Sequence, residues 1–203
     1  AIANLQTFSE GLARNTGKID GILAGIERMT GGGTPPRKVT YDLGAVRDFS
    51  AIAKKSLGGT LTIPEPTAVL MLDTQRFLFS PSGDHPEFAE VTWADNIPKL
   101  VQARLIESFE NYDMAHTLRG DSDADYRLVL DIRRFRIATD AEPRADIALS
   151  ARILHKDGKL VAARLFETTQ KLDKLDPEAA NVAFNAAFGR VAQELTGWAA
   201  EKF

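Results

Sequence analysis

Cysteine is absent from the chain. This excludes thiol nucleophiles, disulfides and cysteine–zinc sites, and leaves the redox compartment open. No apolar run approaches the ~18–20 residues needed to cross a bilayer. No basic block stands out either: 25 Lys and Arg are dispersed among 28 Asp and Glu, for a formal charge of −3. Nucleic acid is therefore not the expected partner, since its binders gather cations on one face. The chain lacks a signal peptide, and residue 1 is Ala rather than Met. The expectation is a fragment or processed form whose upstream part holds any membrane anchor. With 44% hydrophobic and 26% charged residues over 203 positions, there is material for one soluble domain and an appendage.

Signs of catalysis are also few. Of the three histidines, His85 lies in the polar stretch "SGDHPE", His116 follows Asp113 by three residues, and His155 sits at the mouth of a hairpin. None belongs to a nucleophile elbow or a His-Glu-x-x-His pattern, so solvated loop histidines are expected. A hydrolase would need His116 or His155 to meet a nucleophile that the sequence does not identify. "DSDADY" (Asp121–Tyr126) spaces carboxylates like the start of a calcium loop. Tyr126 stands where that loop needs Gly, however, and Ile132 where it needs Glu. The arginines of "DIRRFR" could hold an anionic head group, or simply flank a bulge on an exposed sheet face. The expectation is a non-enzyme with no catalytic residue, no metal and no cofactor.

What the chain does have, at its start, is a heptad pattern. Leu5, Leu12, Ile19 and Ile26 occupy one seam position; Phe8, Asn15, Ile22 and Met29 occupy the other. The period of seven over four heptads predicts a coiled-coil helix across residues 1–30. Gly11, Gly17, Gly21 and Gly25 weaken an isolated helix by up to ~1 kcal/mol each, so it needs neighbours. The candidate assembly residues are Leu5, Phe8, Leu12, Ile19, Ile22, Ile26 and Met29. "TGGGTPPRK" then reads as a Gly/Pro linker over 31–38.

The domain 39–203 reads as α+β. "VTYDLGA" begins it as a short strand, and "RDFSAIAKKSLGG" is a loop with a helical turn. "TAVLMLD" is a continuous apolar run expected to be a strand buried on both faces. "FLFS" and "FAEVTW" are strands around a polar loop. A helix starts near Asp95 or Asn96, with Val101, Leu105 and Phe109 on one face. "YRLVLDIRRFRI" turns Tyr126, Leu128, Leu130 and Ile132 to one side. It then slips at Arg133–Arg134, which puts Phe135 and Ile137 on the other and predicts a bulge. "ADIALSARIL" turns Ile147, Leu149, Ala151 and Ile153 inward, and Asp157-Gly158 makes the hairpin into "KLVAARLFETTQKL". Asp176 caps a last helix with Pro177 in first position and Phe184, Phe188, Val191, Leu195 and Trp198 on its apolar face. The predicted architecture is a mainly antiparallel or mixed sheet with two main helices on one face, preceded by the heptad helix.

In this order, "YDLG", "WADNIPKLVQARLIESF", "YRLVLDIRRF" and "ALSARILHKDGKLVAARLF" resemble the ABC-type transport auxiliary component family, over about four-fifths of the chain. Family members usually carry a lipidated cysteine just before the Tyr-x-Leu-Gly strand; this chain carries the heptad segment there. That segment looks like the C-terminal tail of an MCE (mammalian cell entry) protein, a partner in the same transporters. The two resemblances imply a periplasmic component of an MCE-type system that moves lipids or other apolar molecules between the inner and outer membranes. They further imply an inner-membrane tether upstream, contacts with other transporter subunits, and self-association through the seam, hexameric in the ring-forming relatives. From the residues alone a second reading stays open: a soluble domain that binds a small ligand or polypeptide beside its sheet, unrelated to lipid transport.

Overall fold

The computed structural model describes residues 38–52, 55–113, 115–118 and 123–202. The heptad helix and nearly all of the linker lie outside these residues.

Three long strands form the centre. β7 (Tyr126–Ala138), β8 (Arg144–His155) and β9 (Leu160–Lys171) run antiparallel in sequence order. Gly158 supplies the tight turn between the last two, with φ of 86°, a conformation an L side chain resists. Leu128, Leu130 and Ile132 of β7 and Ile147, Leu149, Ala151 and Ile153 of β8 are buried on one face, as the alternation predicts.

The bulge is present, but its effect is the reverse of the expected one. Ile132 pairs with Leu149 and Arg134 with Ala148, so Arg133 is the extra residue. Inserting one residue resets the period of two, and Phe135 and Ile137 therefore stay on the core side with Leu128 and Leu130.

On its other edge, β7 takes three two-residue strands end to end, all parallel to it. β2 (Leu61–Thr62) sits opposite Tyr126–Arg127, β3 (Thr67–Ala68) opposite Asp131–Ile132, and β4 (Phe79–Ser80) opposite Ile137–Ala138. β6 (Thr117–Leu118) pairs with β2, which completes a mixed seven-stranded sheet. β1 (Val39–Tyr41) and β5 (Val91–Trp93) form a separate parallel pair. "FLFS" and "FAEVTW" therefore contribute strands to different sheets.

"TAVLMLD" is not the doubly buried strand its composition predicts. Only Thr67–Ala68 pairs with β7; a 3₁₀ turn follows at Leu70–Leu72. Val69, Leu70 and Met71 are 61%, 88% and 71% exposed, and Leu72 alone returns to the core. A strand buried on both faces needs a layer over each, and none of the described residues covers this turn.

Helix α1 (Ile97–Asp113) buries Val101, Leu105 and Phe109, and α2 (Pro177–Ala200) buries Phe184, Phe188, Val191 and Leu195. Asp176 caps α2 by accepting from the Ala179 amide at 2.8 Å. Both helices lie on one face of the sheet, and the result is an α+β two-layer fold. Its aromatic heart is Trp93, stacked on Phe77 at 4.2 Å between centroids and edge-on to Phe135 and Phe184. Phe135 and Phe184 stack on each other at 4.7 Å.

Candidate functional site

Between β3 and β4 the edge of β7 has no strand partner among the described residues, because the chain leaves it at Ala68 and returns only at Phe79. The bulge falls in the same interval. The result is a groove of about 670 Å³, with β7 residues Arg133–Arg136 as one wall. The turn carrying Val69, Met71 and Leu72 contributes another, and the segment Ser80–Ala89 contributes the remainder. Phe77, Phe79 and Phe88 supply the apolar floor. His85 lies flat on Phe79, with ring centroids 3.7 Å apart, and approaches Glu87 at 3.6 Å. The loop that carries His85 is thus held by ring stacking.

Four arginines line the groove: Arg76, Arg133, Arg134 and Arg136. Arg134 and Arg136 reach across the sheet to share Asp146 of β8, through Nε–Oδ1 at 3.0 Å and Nε–Oδ2 at 3.2 Å. Arg134 also meets Glu167 of β9 at 2.6 Å. The Asp146 and Glu167 side chains hold the Arg134 guanidinium above its ordinary pKa, mainly through the hydrogen bond to Asp146. Arg133 pairs through Nε with Asp131. Arg76 is exposed and makes no ion pair or side-chain hydrogen bond among the described residues. Arg134 and Arg136 therefore stiffen the wall, whereas Arg76 and the terminal nitrogens of Arg133 keep donors for something else.

The other candidates fare differently. Leu5, Phe8, Leu12, Ile19, Ile22, Ile26 and Met29 all lie outside the described residues. Among the described residues no group of three or more histidines and acids could hold a metal. Asp125, a member of the acidic stretch, accepts instead from the Thr60 amide at 3.2 Å, the Thr60 hydroxyl at 3.0 Å and Lys156 Nζ at 3.1 Å. These bonds, the Thr60 amide first, lower its pKa to about 2.

His116 does meet a hydroxyl. Ser56 Oγ lies 3.5 Å from its Nδ1, and Asp113 lies 2.9 Å from the same nitrogen. A Ser-His-Asp triad needs nucleophile and acid on opposite ring nitrogens. Here both crowd Nδ1, and Ser56 donates its proton to Asp113 at 2.8 Å. Asp113 also accepts from the Leu57 amide at 3.0 Å. Burial alone would raise the Asp113 pKa, but the bonds from His116, Leu57 and Ser56 leave it below the usual range. The cluster is a loop clamp.

At the start of the domain, the "YDLG" residues each have a physical job. Tyr41 is registered against Trp93 and set edge-on to Phe77. Asp42 binds Arg104 of α1. Leu43 is buried. Gly44 lets its amide approach Asn185 of α2 at 2.6 Å, where an added Cβ would stand 3.3 Å from the same oxygen. A family model described as the ABC-type transport auxiliary lipoprotein component matches residues 41–196, from this motif to the last turns of α2.

The chain belongs to this family.

The chain is also similar to individual proteins. An uncharacterized protein of Bradyrhizobium diazoefficiens, bll6063, is 64% identical over 200 residues, covering 97% of this chain and 54% of that protein. The chain thus spans about half the length of that relative. Protein XCC0632 from Xanthomonas campestris, a DUF330 structure, is 25% identical with a TM-score of 0.67, covering 80% of this chain and 94% of that one. A second crystal structure, of an uncharacterized protein, is 12% identical with a TM-score of 0.57 over 78% of this chain and 96% of its own, a likeness of fold.

Sequence reasoning noticed the arginines of β7 but missed Arg76, which lies 57 residues upstream of Arg133, and missed the groove. The one available signal was the exposed run itself: "VLM" follows two prolines and shows no alternation.

Proposed function

We propose that this chain is a non-enzymatic periplasmic module of an MCE-type ABC transport system, carrying lipids or other apolar molecules between the inner and outer membranes. Membership of the transport auxiliary family over residues 41–196 is the observation that carries the reading. Several features add support. The exposed run Val69–Leu70–Met71 offers an apolar surface of a kind that marks binding regions on soluble domains. The heptad seam at 1–30 fits assembly into a coiled coil or tube through Leu5, Phe8, Leu12, Ile19, Ile22, Ile26 and Met29. The Bradyrhizobium relative matches 97% of the chain, so most of the seam travels with the domain, and its greater length leaves room for a tether and a ring domain.

Native mass spectrometry of the full chain beside a version lacking residues 1–33 tests this. A defined oligomer with lipid-sized adducts for the full chain, against a bare monomer for the truncation, is expected. An identical oligomer for both would remove the seam from the account, and two bare monomers would remove both assembly and cargo.

A further inference from the structure

Three consecutive exposed apolar residues, Val69, Leu70 and Met71, are a feature that soluble surfaces avoid unless something covers them. Two of them, Val69 and Met71, face the groove. Its volume, about 670 Å³, falls in the ~300–1,000 Å³ range of small-molecule sites. Apolar lining on one side and guanidinium groups on the other make it amphipathic, which narrows the ligand to one with a chain and an anionic head. Arg134 and Arg136 are already neutralised by Asp146 and Glu167, and Arg133 by Asp131. The unpaired charge that remains for a ligand is that of Arg76, with the terminal N–H donors of Arg133 beside it. Asp84 is the one carboxylate among the lining residues. It repels an anion, and so biases the head away from its own loop.

We propose that the groove binds a single-chain anionic amphiphile, an alkyl or acyl chain with a phosphate or carboxylate head. Val69, Met71 and Phe79 cover the chain, and Arg76 and Arg133 hold the head. The proposal deepens the transport reading and rests on it for the choice of an apolar cargo. Head charge is read by the two arginines.

The test is calorimetric titration of the full chain with dodecyl phosphate below its micelle concentration, beside dodecyl maltoside and inorganic phosphate. Saturable binding of dodecyl phosphate is expected. The maltoside should bind at least tenfold more weakly, about the loss of one charge-assisted hydrogen bond, and inorganic phosphate should not saturate. The double variant Arg76→Gln/Arg133→Gln should weaken dodecyl phosphate at least tenfold. Met71→Ser should weaken both amphiphiles alike. All of these side chains are exposed, so unchanged urea midpoints certify the fold. Equal affinity for the maltoside, equal affinity for free phosphate, or an unaffected double variant overturns the proposal. Binding confined to dodecyl phosphate vesicles, with none to the monomer, overturns it too. Failure to bind with seam-dependent assembly intact would sink the groove and spare the transport reading; binding with assembly lost would do the reverse.

Discussion

Asn185 of α2 holds the backbone of Asp42 and Gly44 by a donor–acceptor pair of bonds. Its Oδ1 accepts from the Gly44 amide at 2.6 Å, and its Nδ2 donates to the Asp42 carbonyl at 3.1 Å. Gly44 and Asn185 are 141 positions apart, so this contact closes the domain's beginning onto its last helix. Asn185→Ala leaves both backbone groups without their partner and should cost about 1–2 kcal/mol. Gly44→Ala must push Asn185 back by a few tenths of an ångström and should destabilise as well. Urea midpoints check both; a shift below about 0.3 kcal/mol for Asn185→Ala would show that water replaces the clamp.

Asp146 is 7% exposed and serves two arginines at once. Removing one partner of a buried ion pair costs ~3–5 kcal/mol. Arg134 and Arg136 are 34% and 39% exposed, so solvent recovers part of that. Asp146→Ala should lose about 1–3 kcal/mol in chemical denaturation. It should also loosen the groove wall, read as faster amide exchange at Arg133–Arg136. A variant as stable and as protected as the parent would show that the arginines position themselves.

Asp125 gives a pH signature. Its pKa of about 2 in the folded chain lies below the ordinary ~3.9 of an unfolded aspartate. Between those values the unfolded state binds more protons, so the contribution of Asp125 is complete above about pH 4 and fades as pH falls toward 2. Asp113 also titrates low, so the quantity to measure is the difference between parent and Asp125→Asn over pH 2–5. The parent's advantage should shrink with acidification; a difference independent of pH would show that the shift does not operate in solution.

The clamp at Asp113 separates structure from catalysis. Asp113→Ala should cost about 1.5–3 kcal/mol, the range for hydrogen bonds to a charged group. Ser56→Ala should leave hydrolysis of p-nitrophenyl acetate at the parent's rate. A fall in that rate for both Ser56→Ala and His116→Ala would contradict the clamp and revive a hydrolase.

Much of the architecture was legible because its determinants are local. Alternation fixes β8 without reference to any other element, Asp157-Gly158 sets the hairpin, and Asp176-Pro177 starts α2 within a residue. What was not legible depends on distant partners. A two-residue strand such as Leu61–Thr62 has no period to detect and exists only because β6 and β7 lie on either side of it. "TAVLMLD" reads alike whether buried or exposed, since hydrophobicity records what a segment avoids and not what covers it. The slip at Arg133 was visible, but the side to which Phe135 returned depended on pairing with Ile147. Arg76 and Arg133 share a groove only because β3 and β4 dock on the same edge, a fact of topology that no spacing encodes.

That topology also sets a timetable. Among the described residues β3 and β4 pair only with β7, so on a ribosome or a translocation channel these two segments wait, unpaired, until Tyr126–Ala138 emerges. For β3 and β4 pairing lags synthesis, and the newborn chain depends on whatever shields those segments during the interval.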